Sequence, residues 1–228
     1  ETASLTPTIP TSMVIVDDDH PGVSMTDRRQ VLVSTALDLF GQRGIDSVSM
    51  DDIARGAGVT KGSLYWHFDT KRDLILEAAG LYYELWRASM HDVIDTAPTH
   101  REALEAAIEF SVRSCLLESH NRVFTTELIA LSLHDEGYRA SWAGFYDEAL
   151  RLFLGLTHRA VGAGEIVCDD IDTRVDVMLA AMEGLKQTAL FSPALVSRDR
   201  EKRLCRQLLD LLCASEVATL APARSTRR

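Results

Sequence analysis

The feature that most constrains this chain is the segment of residues 49–74, which predicts two short helices joined by a glycine turn and followed by a third helix. Ser49 and Asp52 form a capping-box pattern, so we expect the first helix to begin at about Met50. Apolar residues then recur at helical spacing, and Gly58 supplies the positive φ that commonly ends a helix. The segment is therefore a predicted helical hairpin with a very short second member.

The second helix of this hairpin carries polar and aromatic side chains that it is too short to bury. Leu64 and Phe68 are four residues apart and are expected to face inward. The remaining side chains can donate and accept hydrogen bonds, which is typical of a helix that contacts DNA phosphates and base edges. We predict the following DNA contacts: Thr60, which also caps the helix, Lys61, Ser63, Tyr65, Trp66 and His67. The alternative is an ordinary helical hairpin inside an all-α core.

Together with the helix predicted over residues 28–40, this segment closely resembles the DNA-binding domain of the TetR family of bacterial transcriptional repressors. The resemblance covers about residues 27–76. It implies that the third helix of the domain lies in the major groove and that a long fourth helix leads into a ligand-binding, dimerising domain. It also implies that Lys71, in the first turn of that fourth helix, contacts backbone phosphate. Trp66 and Asp69 occupy variable positions, so the resemblance implies no base preference.

The rest of the chain has helical patterns and no recognisable alternating strand. The predicted fold class is all-α, with an N-terminal three-helix DNA-binding domain containing the helix-turn-helix and a C-terminal helical ligand-binding and dimerisation bundle. Further helices are expected over about 70–94, 99–118, 121–134, 138–161, 170–191 and 197–217. The predicted domains are a disordered N-terminal arm at 1–25, the DNA-binding domain at 26–75 and the effector-binding and dimerisation domain at 76–228.

The net charge of −10 is unusual for a DNA-binding protein, but it is unevenly distributed. Residues 26–75 contain seven basic and seven acidic side chains, so the acidity lies outside the predicted DNA-binding domain. This balance predicts a modest number of phosphate contacts and weak nonspecific affinity. The acidic arm is either a passive tail or a competitor for the DNA-binding surface.

Large apolar side chains in the middle helices, interleaved with polar ones, predict a pocket for a small-molecule effector. The candidate lining residues are Trp86, Met90, Phe110, Phe124, Trp142, Phe145, Tyr146 and Met178. Core packing is the alternative role for each of them. The effector is not identified by the sequence, because no phosphate-binding loop or metal-ligand quartet is present, and no cofactor or metal is expected.

Broad apolar stripes on the last two long helices predict a homodimer interface. The predicted interface residues are Met182, Leu185, Leu204, Leu208 and Leu211. A two-fold four-helix interface would bury them and would place two recognition helices at successive major grooves. The alternative is that both stripes are buried within one monomer.

The predicted function is a cytoplasmic, ligand-responsive transcriptional repressor that binds a palindromic double-stranded DNA operator as a homodimer and is released by a small-molecule effector. No membrane association is expected, because no apolar run approaches the length of a spanning helix. One alternative is an effector-independent DNA-binding or architectural protein. A helical enzyme is the other, although no nucleophile–base pair or metal-ligating cluster supports catalysis.

Overall fold

The computed structural model describes residues 25–213, and every regular element in this range is helical. The α-helices are α1 (Met25–Arg43), α2 (Met50–Gly56), α3 (Lys61–His67), α4 (Lys71–Asp95), α5 (His100–Ser111), α6 (Ser119–Ser132), α7 (Glu136–Gly162), α8 (Ile171–Thr188) and α9 (Arg198–Cys213). A π-helical segment, Val112–Leu117, continues α5, and a 3₁₀ turn, Pro193–Val196, precedes α9. The all-α prediction is confirmed for these residues, whereas the predicted arm lies outside them except for its last residue.

Four of the helices begin where the sequence predicts side-chain caps. Ser49 Oγ accepts a hydrogen bond from the Asp52 amide at 3.1 Å, and the Asp52 carboxylate accepts one from the Ser49 amide at 3.0 Å. The hydroxyls of Thr60, Thr70 and Thr99 each accept a bond from the amide three residues later, at 3.1 Å in each case. These bonds satisfy amides that a helix leaves unpaired in its first turn, so local chemistry sets where α2 to α5 begin.

The N-terminal head, formed by α1, α2 and α3, packs on the rest of the chain through α1. This helix lies against α4 and α6, and the rings of Phe40 on α1 and Phe124 on α6 stack at 6.2 Å with their planes 4° apart. The predicted domain boundary after residue 75 falls inside α4, which buries Ile75 before it and Ala78 after it. One continuous apolar core therefore joins the head to the bundle.

The bundle is formed by α4 to α9 around the π-helical segment. In it α5 packs against α4, α7 and α9, while α8 packs against α7 and α9. The π-helical segment contacts α6, α8 and α9, which places it close to the middle of the bundle. This arrangement brings side chains of α4, α7, α8 and α9 together around the widened turns of that segment.

Candidate functional site

Helix α3, the predicted recognition helix, is anchored on one side and exposed on the other. Leu64 is fully buried and Phe68, which follows the helix, is 2% exposed. On the outer side Tyr65 is 43% exposed and Trp66 is 65% exposed. Large exposed aromatic side chains are uncommon on a surface that has no partner, so this face is suited to contact another molecule.

Arg29 on α1 holds the C-terminal end of α3, a role that the sequence analysis missed. Its Nη1 donates to the backbone oxygen of His67 at 2.8 Å, and its Nη2 lies 3.0 Å from the Glu77 carboxylate on α4. The guanidinium also lies 4.3 Å from the centre of the Phe68 ring. A cation at this end of a helix is favourable because the carbonyls there carry partial negative charge. No local sequence pattern reveals the contact, which spans 38 residues.

Two of the predicted DNA-contacting side chains on α3 have altered protonation equilibria. Lys61 pairs with Asp51 on α2 at 2.8 Å, and this hydrogen-bonded partner raises the pKa of the lysine. Burial, followed by the nearby charges of Arg29 and Arg28, lowers the pKa of His67 below its usual value. The lowered pKa favours the neutral imidazole at neutral pH, and in that form His67 offers one donor and one acceptor.

The peptide groups of Ile45, in the loop between α1 and α2, are held from two directions. Lys71 Nζ donates to the Ile45 backbone oxygen at 2.6 Å, and the Glu127 carboxylate on α6 accepts the Ile45 amide hydrogen. The preceding Gly44 has φ of 82°, and a Cβ there would lie 3.1 Å from Glu127 Cδ and closer still to Oε1. We call this arrangement the Ile45 clamp. It connects the head to α6 of the bundle, and it occupies one of the three donors of Lys71.

A second polar connection lies between α4 and α7. The Arg72 guanidinium donates to both carboxylate oxygens of Asp135, the N-cap of α7, at 2.7 and 2.9 Å. Arg72 is the main cause of a strongly lowered pKa of Asp135. Bidentate pairs of this kind restrict geometry, so the first turn of α4 is tied to the start of α7.

A cavity of about 50 Å³ lies between α4, the π-helical segment, α7, α8 and α9, and we call it the central cavity. Four of the eight predicted pocket residues line it: Trp86, Trp142, Phe145 and Tyr146. The other four predicted residues do not line it. Met90, Phe110, Phe124 and Met178 are buried in the surrounding core, because the apolar faces of their helices are wider than the cavity.

Some polar groups of the central cavity lack hydrogen-bond partners, whereas Glu183 has an ion-pair partner. Trp86 Nε1 and Ser111 Oγ are buried and have no hydrogen-bond partner among the described residues. Glu183, which also lines the cavity, is paired with the buried Lys186 at 2.8 Å. The Lys186 ammonium lies 5.0 Å from the centre of the Trp142 ring. The cavity is therefore mainly apolar, with five aromatic side chains in its wall, one ion pair at its edge and two unbonded polar groups.

Of the five predicted dimer-interface residues, Leu208 alone is fully buried within the monomer, and the other four are partly exposed. Leu208 is 2% exposed, and it lines the central cavity together with Met182 and Leu185. Leu204 and Leu211 pack against the same core. The reason is that α8 and α9 turn these faces toward each other and toward α5 and α7.

Residues 25–213 contain no group of three or more His, Cys, Asp or Glu side chains arranged to hold a metal ion. Within the same range no helix is both long and apolar enough to cross a membrane.

Comparison with known proteins gives matches in sequence. A family profile described as bacterial regulatory proteins, tetR family, matches residues 32–78. The chain is 40% identical over 67 residues to the HTH-type transcriptional regulator AcrR of Shigella flexneri, a match that covers 29% of this chain and 28% of that protein. It is 28% identical over 174 residues to the probable acrEF/envCD operon repressor of Escherichia coli K12, covering 68% of this chain and 71% of that protein.

Solved structures show the same fold. A transcriptional regulator from Saccharomonospora viridis in complex with choline has a TM-score of 0.73 at 21% identity, covering 81% of this chain and 95% of that one. A TetR-family transcriptional regulator from a Rhodococcus species has a TM-score of 0.68 at 23% identity, covering 83% of this chain and all of that one. At these identities the likeness establishes the fold alone.

Proposed function

Because the chain belongs to the TetR family of DNA-binding transcriptional regulators and is not an enzyme, we propose that it is a ligand-responsive repressor. It binds a palindromic DNA operator as a homodimer, and a small-molecule effector releases it. The observation that carries this proposal is the exposed aromatic and polar face of α3, on a helix held by Arg29 at its C-terminal end. Binding to genomic DNA implies action in the cytoplasm.

In this proposal α3 lies in the major groove and its outer side chains contact DNA. Tyr65 and Trp66 have the exposed surface for contact with bases and sugars, and neutral His67 supplies a hydrogen-bonding ring. Thr60 and Ser63, at the N-terminal turn of α3, are suited to bind phosphate. Lys61 and Lys71 supply positive charge, the latter through the donors that the Ile45 clamp leaves free.

We place the dimer interface on the outward faces of α8 and α9, beside the partly exposed residues of the predicted stripe. Val177 is 49% exposed, and Ala180 and Gly184 follow it at helical spacing on the exposed side of α8. Small residues at this spacing allow a second helix to approach closely. We retain the division into a head at 26–75 and an effector-binding and dimerisation domain at 76–228, joined by α4.

Effector release requires that the central cavity and the head respond to each other. The Phe40–Phe124 stack and the Ile45 clamp connect the head to α6, and α4 carries both Trp86 in the cavity and Arg72 near the head. An effector that binds one arrangement of these helices more tightly than another shifts the population toward that arrangement. The size of the shift is set by the difference between the two affinities. The choline bound by the Saccharomonospora viridis regulator supports a small-molecule site in this fold.

An effector-independent DNA-binding protein is the second candidate, and the small size of the central cavity favours it. A volume of about 50 Å³ is well below the roughly 300 Å³ of drug-sized sites. A screen of neutral, cationic and anionic compounds for release of the bound duplex separates the two candidates. Release by any compound supports the repressor, whereas release by none supports the alternative.

The test of DNA binding is selection of duplexes from a random pool by the purified chain. We expect an enriched palindrome, and enrichment of a single half-site would contradict the homodimer. Lys71→Ala should then weaken binding to all duplexes alike and reduce the slope of log affinity against log salt by about one. Leu133→Ala, at a 69% exposed position after α6, is the control and should bind like wild type.

A further inference from the structure

We propose that the effector is an uncharged, largely apolar molecule with a hydrogen-bond acceptor, received in the central cavity by the Trp86 indole N–H and the Ser111 hydroxyl. This inference rests on the proposed function, because it describes the ligand of the same cavity. It is carried by the two unbonded polar groups, by the neutrality of the ion pair beside them and by the aromatic walls.

The Trp86 indole N–H and the Ser111 hydroxyl are buried without hydrogen-bond partners among the described residues. Trp86 is 6% exposed and Ser111 is 2% exposed, and both line the central cavity. Buried polar groups in folded proteins are almost always hydrogen-bonded, so two unbonded groups in one cavity indicate a missing partner. The indole N–H can only donate, which means that this partner must accept.

Ser111 differs from two other buried hydroxyls on helices, those of Thr125 and Thr157; Thr126 Oγ1 on α6 is also unbonded but does not line the central cavity. Thr125 Oγ1 and Thr157 Oγ1 each donate to the backbone oxygen four residues earlier, both at 2.8 Å. That local bond satisfies a hydroxyl inside a helix. Ser111, at the junction of α5 with the π-helical segment, makes no such bond and faces the cavity region instead.

Side chains from α6 hydrogen-bond to backbone oxygens of the π-helical segment. The Glu118 amide donates to the Arg113 oxygen, five residues back, at 2.9 Å. Asn121 Nδ2 donates to the Ser114 oxygen at 3.0 Å, and the Arg122 guanidinium donates to the Leu116 oxygen. Irregular helical turns of this type occur frequently at functional sites. The segment supplies Val112, Cys115 and Leu116 to the cavity wall, directly after Ser111 at the end of α5.

The charged group that lines the central cavity, the Glu183 carboxylate, already has an ion-pair partner. The Glu183 carboxylate is neutralised by Lys186, whose ammonium also lies 3.4 Å from Thr125 Oγ1. A cationic ligand would have to compete with Lys186 for this carboxylate, and an anionic one would have to compete with Glu183 for the ammonium. Because burying an unpaired charge is strongly unfavourable, the cavity selects an uncharged ligand.

The central cavity is smaller than the ligand it is proposed to bind. A cavity of about 50 Å³ does not hold even a single aromatic ring without movement of its walls. Met182, which is partly buried and lines the cavity, is a flexible side chain that can adopt another rotamer to admit such a ring. The small volume requires a compact effector, and the unbonded donors require that it carry an acceptor such as a carbonyl or ether oxygen.

The experiment uses three probes of nearly equal shape: acetophenone, α-methylstyrene, in which a methylene replaces the carbonyl oxygen, and 1-phenylethylammonium. Dissociation constants for the purified full chain are measured by isothermal titration calorimetry. We expect acetophenone to bind about tenfold more tightly than α-methylstyrene, and the ammonium to bind most weakly. Trp86→Phe removes the N–H and leaves the Ser111 hydroxyl, so it should reduce the ketone-to-hydrocarbon ratio to about three.

The control is Trp142→Phe, the same substitution at another indole of the cavity. Trp142 Nε1 is not one of the buried unbonded groups, so this variant should weaken both probes alike and preserve the ratio. If Trp86→Phe does not fold, as judged by circular dichroism, Ser111→Ala is used in its place and should lower the ratio about threefold.

Three outcomes overturn the proposal: equal binding of ketone and hydrocarbon, tighter binding of the ammonium, or no binding of any probe. Persistence of the ratio in Trp86→Phe also overturns it. None of these results concerns DNA binding, which is measured separately on the selected duplex. Failure of wild type to bind any duplex would instead overturn the proposed function.

Discussion

Replacing Gly44 with alanine should destabilise the chain through the Ile45 clamp as well as through the backbone. Gly44 has φ of 82°, a conformation that costs an L-residue about 1 kcal/mol or more. A Cβ there also meets the Glu127 carboxylate, which must move and release the Ile45 amide. A hydrogen bond to a charged group contributes about 1.5–3 kcal/mol, so the whole cost is about 3 kcal/mol. For a chain of this length, that lowers Tm by about 6–12 °C.

The matched control is Gly164→Ala in the turn after α7. Gly164 has φ of 72°, but no atom lies within 4 Å of the position that its Cβ would take. Only the backbone cost of about 1 kcal/mol remains, and Tm should fall by about 2–4 °C. Denaturant titration and differential scanning calorimetry measure both variants.

A double-mutant cycle with Glu127→Ala separates the two contributions at Gly44. Without the carboxylate there is neither a collision nor an amide bond to lose, so Gly44→Ala should then cost only about 1 kcal/mol. The coupling energy should be about 2 kcal/mol. Equal costs of Gly44→Ala in both backgrounds would refute the Ile45 clamp as the source of the destabilisation.

Further predictions concern DNA binding, pH dependence and the dimer. Tyr65→Ala should weaken operator binding by about 1–3 kcal/mol in fluorescence anisotropy without lowering Tm, and wild-type affinity would show that α3 is oriented differently. Hydrogen bonds from Ser49 lower the pKa of Asp52 to about 2, so the stabilisation that this carboxylate provides is present above its usual pKa of 3.8 and disappears as pH falls toward 2. Unfolding titrations should therefore show the cost of Ser49→Ala shrinking over that range, whereas a constant cost would contradict the assignment. Leu208→Arg should unfold the chain by burying an unpaired charge. Val177→Arg should give folded monomers in analytical ultracentrifugation, and a folded dimer would place the interface elsewhere.

The recognition helix was predictable because its determinants are local. Thr60 bonds to the amide of Ser63, three residues along the chain, and Leu64 and Phe68 share one face of a single helical turn. Such contacts depend only on residues within a few positions, so they are present in the sequence pattern. The exposure of Tyr65 and Trp66 follows, because the buried face of a seven-residue helix is already occupied.

The Arg29 contact and the Ile45 clamp were not predictable from such patterns. Arg29 meets His67 across 38 residues, and Glu127 meets Ile45 across 82 residues. Neither pair follows a helical or turn spacing. Their partners are set by how α1 packs against α3 and α6, which many distributed apolar contacts decide together.

The sequence by itself determined the starts of α2 to α5, the all-α class and the exposed outer face of α3, since capping, periodicity and turn chemistry act over a few residues. Only the tertiary structure decided which apolar faces meet. Leu208 lines the central cavity, although its stripe was predicted to form a dimer interface. Phe124 stacks on Phe40, although it was predicted to line the ligand pocket. The physical reason is that an amphipathic helix specifies that one face must leave water, whereas the partner that covers this face depends on the packing of the whole chain.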